Sequence, residues 1–158
     1  MLSRNCCMRR GGHHLSLGFT MLELMFAVAI AAILALIAIS QFAKAVEKSK
    51  QGSAIADISI IQVEIERYRS NHNSMLPDAI PSDRLDPWQR PYIYTKLEGT
   101  KGKGSARKDH ALNPLNTDYD LFSAGKNGVY KSQISQKDSL DDIIRARNGA
   151  FVGVAEDF

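Results

Sequence analysis

The chain reads as an α+β protein, one very long N-terminal helix followed by a small antiparallel sheet. Three observations predict this. A block from Phe19 to Ile39 is apolar almost without interruption. No proline occurs before Pro77, and Gly52 is the only glycine between Phe19 and Met75, so nothing in that stretch breaks a helix sharply. After Asn71 all five prolines and most glycines occur, and short strand-like runs replace the helical period.

At 158 residues the chain has room for one domain with a modest core plus appendages. The formal charge is +3. Of the 20 basic residues, Arg4, Arg9 and Arg10 lie in the first eighteen positions, where no acid occurs, and the other 17 balance 17 acids. A neutral body exerts no long-range pull on nucleic acid or anionic lipid, so nucleic acid is not an expected partner. Cys6 and Cys7 sit side by side in the same basic stretch, and a chain cut after it has no thiol and no disulfide framework.

Residues 1–18 form a polar, basic leader that ends in Gly18 directly before the apolar block. A secretory signal would place its cleavage site after the apolar run, so here the run is expected to stay in the product. At about 1.5 Å per residue, Phe19 to Ile39 covers roughly 30 Å, the thickness of bilayer hydrocarbon. Arg9 and Arg10 flank it on the N-terminal side and orient it with the N-terminus cytoplasmic and the body across the membrane. Glu23 is its one charged residue.

Past the membrane the helix is expected to continue, with Phe42, Val46, Ile55, Ile58, Ile61, Ile65 and Tyr68 at helical spacings. Lys44, Lys48, Asp57, Glu64 and Arg67 fill polar positions. A helix from about Thr20 to Asn71 would be on the order of 75 Å long. Strands are expected at Tyr92 to Leu97, Tyr119 to Phe122, Val129 with Tyr130, and Ala150 to Val154. Glu98 to Asp109 reads as a flexible basic loop, and Asn127-Gly128 as a turn. The chain thus divides into a leader (1–18), a membrane half of the helix (19–41), a second helical half (42–75) and a small β-rich region (76–158).

Little points to enzyme chemistry. His72 and His110 stand far from any cysteine, and Ser123, His110 and Asp120 lack the surroundings of a nucleophile elbow. The protein is expected not to be an enzyme.

The segment Gly18-Phe19-Thr20-Met21-Leu22-Glu23-Leu24 resembles the prepilin peptidase site of type IV pilins and type II secretion pseudopilins. The resemblance implies cleavage between Gly18 and Phe19 and N-methylation of Phe19. It further implies an assembly role for Glu23, whose carboxylate would neutralise the Phe19 amine of a neighbouring subunit. A lone carboxylate in an apolar run wants such a cation. The helix-breaking proline frequent in that family is absent, the region reading Ile39-Ser40-Gln41-Phe42.

In the body, Asp86-Pro87-Trp88, Pro91-Tyr92, Tyr94, Tyr119 to Ser123, Gly125 and Gly128 are similar to the major pseudopilin of type II secretion. That similarity implies a pilin-like fold and a calcium ion held near Asn127, Asp141 and Asp142, whose oxygens suit calcium. Read by local pattern instead, Ser139 to Asp142 fits an N-cap opening a short helix that Asn148-Gly149 would close. The implied function is a pseudopilus subunit, anchored in a bacterial inner membrane with its body periplasmic, then polymerised into a filament that drives protein export. Its partners would be identical and related subunits, the prepilin peptidase, an inner-membrane assembly platform and membrane lipid. Two alternatives stand beside it: a type IV pilus subunit for adhesion, motility or DNA uptake, and a membrane-anchored periplasmic binding or catalytic domain.

Overall fold

The computed structural model describes residues 18–99, 104 and 106–158. Residues 1–17 of the leader, with Cys6 and Cys7, and Thr100 to Lys103 with Ser105 in the basic loop, lie outside the described residues. Helix α1 spans Met21–Asn71, followed by strands β1 (Ile93–Lys96), β2 (Tyr119–Ser123), β3 (Ile143–Ala146) and β4 (Phe151–Val154). The chain divides into two compact units, Met1–Phe42 and Ala43–Phe158.

In the first unit every described residue is exposed, including Phe26, Ile33, Leu36 and Ile39. An 18-residue window within α1 reaches a mean hydropathy of 2.7, so the helix is long and apolar enough to cross a membrane or serve as a signal anchor.

In the second unit the sheet is four-stranded and antiparallel in the order β1-β2-β3-β4. Phe122 is the common register point, paired with Ile93 on one side and Ile144 on the other. Both faces are covered. Ala54, Ile58, Ile61 and Ile65 of α1 pack with Leu76, Tyr92, Tyr119, Leu121 and Ile143 in one cluster. Leu115, Phe122, Ile134, Ile144, Ala146 and Ala155 form the other. Successive residues of β2 and β3 therefore point into two different cores, and both strands are buried along their whole length.

The helical periodicity holds for Ile58, Ile61 and Ile65, while Phe42 and Val46 are exposed. Two expected elements differ. Val129 and Tyr130 form no strand; they belong to a loop whose start is fixed by Asn127 Oδ1 accepting from Val129 N. The short helix read from Ser139 onward is a single 3-10 turn at Lys137–Ser139, after which Ile143–Ala146 is a strand. The acids at Asp141 and Asp142 suit a helix start, but pairing with β2 and β4 claims the next four residues.

Candidate functional site

At the start of α1, Thr20 is the last residue before the helix and its Oγ1 accepts a hydrogen bond from Glu23 N at 3.2 Å. This is an N-cap bond to the third helical residue, satisfying one amide that has no partner inside the helix. Glu23 lies in the first turn, where the positive end of the helix dipole favours a carboxylate. Gly18 and Phe19 precede the helix without regular secondary structure, and Phe19 is 79% exposed.

In the body, Asp86 organises the Pro87-Trp88 loop. Its Oδ1 accepts from Trp88 N at 3.0 Å and Arg90 N at 2.8 Å, and its Oδ2 accepts from Ser123 Oγ at 2.6 Å. Arg90 then reaches the following turn, donating to the carbonyls of Gly125 and Lys126. Gly125 and Gly128 both have positive φ, and a Cβ on Gly125 would run into the Asp141 carbonyl while one on Gly128 would meet the Arg90 guanidinium. Trp88 packs against the helix-side core.

The calcium candidates separate. Asn127 and Asp141 meet: Asp141 Oδ2 accepts from Asn127 N at 2.9 Å and Oδ1 accepts from Asn127 Nδ2 at 2.6 Å. Asn127 Oδ1 is taken by Val129 N. Asp142 turns the other way, into the core, where its Oδ2 accepts from Arg107 Nη2 at 2.5 Å. A calcium cage needs these oxygens to converge, and here Asn127 presents its amide nitrogen to Asp141 while Asp142 is neutralised by a guanidinium. The donor set in this arrangement does not fit the ion. Among the described residues no group of three or more His, Cys, Asp and Glu stands close enough to hold a metal.

Arg107 is the centre of the buried network. Its backbone N donates to Asp120 Oδ2 at 2.7 Å, its carbonyl accepts from Leu115 N, and its guanidinium lies 4.2 Å from the Phe122 ring centroid. Burial pushes the Asp142 carboxyl up to about 6, with Arg107 offsetting only part of that cost. Asp120, also raised by burial, is held by Arg107 N and by Asn116 Nδ2. A second pair has the opposite outcome. Arg145 donates to both carboxylate oxygens of Asp118, at 2.9 and 2.7 Å. Burial raises the Asp118 carboxyl, but the hydrogen bond and charge of Arg145 win and leave it below the usual carboxylate range.

Ser123, His110 and Asp120 are not brought together. Ser123 bonds Asp86, Asp120 serves Arg107 and Asn116, and His110 contacts Gln133 and Ser135. Sequence patterns named Asp86 within a motif, Asp120 within a motif and beside Ser123 and His110, and Arg107 within a flexible basic loop, and left Arg145 unnamed; Arg107 is instead buried and bonded to Asp120 and Asp142. The Asp86-Pro-Trp pattern carries a usable signal, an Asx-type turn before a proline. Arg107, set among glycines and lysines, carries none.

No family model, curated protein or solved structure matches this chain.

Proposed function

We propose that the protein is a type IV pilin-like structural subunit, closest in kind to the major pseudopilin of type II secretion. It would be processed at Gly18-Phe19, N-methylated at Phe19 and assembled through its N-terminal helix. The observation that carries this reading is Glu23 in the first turn of a helix whose residues 21–46 are all exposed. So much bare apolar surface needs lipid before assembly and neighbouring helices after it. A carboxylate there is costly unless a cation meets it, and the Phe19 amine freed by cleavage supplies one.

On this reading the subunit waits in the bacterial inner membrane with its body in the periplasm. An assembly platform then extracts it into a periplasmic filament that pushes substrates outward. A Glu23→Ala substitution tests the function. The variant should stay folded and membrane-bound yet fail to enter filaments; normal filament yield would remove Glu23 from assembly.

A further inference from the structure

The body is neutral as a whole, but its charge is not evenly spread. Ala43 to Lys50, at the start of the second unit, follow the apolar run directly in sequence and hold Lys44, Lys48 and Lys50 against the single acid Glu47. Lys44 and Lys48 are exposed one turn apart on α1, and neither they nor Lys50 form an ion pair among the described residues. Glu47 is met by Lys126, whose Nζ lies 3.9 Å from its Oε2.

That contact sets the loop Lys126 to Lys131 beside this turn of α1. The loop is fixed at both ends: Arg90 donates to the Gly125 and Lys126 carbonyls, Val129 N donates to Asn127 Oδ1, and Lys131 N donates to Ser139 Oγ at 2.7 Å. Yet it presents apolar surface. Val129 is 45% and Tyr130 47% exposed, although the Tyr130 ring rests edge-on against Phe122. Lys126 and Lys131 flank them. Their partners Glu47 and Asp138 stand at 3.9 Å without a hydrogen bond, too loosely to hold lysine side chains that are 69% and 49% exposed.

We infer that this loop and the Lys44 to Lys48 turn together form a docking surface for anionic phospholipid headgroups. The inference rests on the membrane-anchored stage of the proposed function and adds to it a second contact between protein and bilayer. Charge is the first argument for this occupant: three unpaired lysines and two loosely paired ones favour a surface that bears phosphates. Position is the second. Ala43 to Glu47 is four residues, about 6 Å of helix, and the headgroup layer outside roughly 30 Å of hydrocarbon is about 5–7 Å deep on each side. A span that ends near Phe42 therefore brings Lys44, Glu47 and Lys126 to headgroup depth. A valine and a tyrosine between two lysines suit that layer, which takes an aromatic body with a polar tip and lysine stems with their charges outward.

The test uses the full chain carrying Cys6→Ser and Cys7→Ser, reconstituted in vesicles of phosphatidylcholine alone or of two parts phosphatidylcholine to one part phosphatidylglycerol. A solvent-sensitive fluorophore is attached at Val129→Cys or, for reference, at Met75→Cys, an exposed site beyond the end of α1. At position 129 the emission should shift to the blue and be quenched by headgroup-spin-labelled lipid in the anionic vesicles. Both effects should vanish at about 1 M salt, where the screening length is about 3 Å. Lys44→Gln with Lys48→Gln should remove most of the shift, and position 75 should stay water-like throughout. Emission at 129 that matches 75 in anionic vesicles, or that is the same in both vesicle types, overturns the docking surface, while flotation of the chain with the vesicles leaves the membrane reading standing. A chain that floats with neither vesicle rejects the membrane anchor, and the docking surface with it.

Discussion

Arg107 Nη2 donates to Asp142 Oδ2 at 2.5 Å, and the two side chains are only 4% and 0% exposed. A charge pair so deep contributes little beyond its own desolvation cost when intact, but removing one partner strands the other. The pair ties the segment before β2 to the start of β3, two stretches that share no other strong sequence signal.

Arg107→Met should therefore destabilise the body by about 3–5 kcal/mol, because it leaves the Asp142 carboxylate buried without a counter-charge. Chemical denaturation of residues 43–158, a compact unit with its own core, measures this. Adding Asp142→Asn to that variant should recover part of the loss, since the stranded charge is then gone. A double variant as unstable as the sum of the two single ones would show that the residues act independently.

The pH dependence has a definite sign. Asp142 has its folded-state pKa raised from 3.8 to about 6, so its contribution to stability is fully present below the unfolded value and is lost as pH rises through about 6. A shift of two units corresponds to about 3 kcal/mol across that window. Asp120 is raised in the same sense, so Asp142→Asn should shrink the slope between pH 4 and 6 without abolishing it. Asp118, held low by Arg145, acts in the opposite direction and weakens the fold only as pH drops below the ordinary carboxylate range.

Calcium should leave the melting temperature of the body unchanged, because Asp142 is committed to Arg107 and Asn127 Nδ2 already satisfies Asp141. Thermal unfolding with excess calcium and with chelator is the comparison. A rise that grows with the logarithm of calcium concentration would mean that Asp142 leaves Arg107 to join a cage with Asn127 and Asp141.

Asp86→Ala removes the acceptor for Trp88 N, Arg90 N and the Ser123 hydroxyl at once. Loss of these bonds at a site only 1% exposed should cost about 2–4 kcal/mol. Asp86→Asn, which keeps one carbonyl oxygen, should cost less; equal losses would mean that packing around Pro87 and Trp88, rather than the carboxylate, holds the loop.

Much of the architecture was legible because its signals are local. Ile58, Ile61 and Ile65 recur at helical spacing, no proline interrupts them, and α1 ends at Asn71 where the pattern changes. Strands β1, β2 and β4 carry aromatic and β-branched residues between turn signals. Strand β3 was hidden for a physical reason. Ile143-Ile144-Arg145-Ala146 is buried on both faces, so it shows no alternation, and Arg145 sits inside because Asp118 and the Tyr119 ring receive its guanidinium. The same non-locality hid Arg107, whose partners at Asp120 and Asp142 are far along the chain. Asn127 and Asp141 meet through hydrogen bonds, while the direction of Asp142 depends on that distant arginine.

The filament reading stands or falls first on processing. Mass spectrometry of the mature chain isolated from membranes should find an N-terminus at Phe19, carrying one added methyl group, with Cys6 and Cys7 gone. A mature chain that keeps those cysteines, or that begins after Ile39 and so has lost the apolar half of α1, would contradict the assignment as a pilin-like subunit.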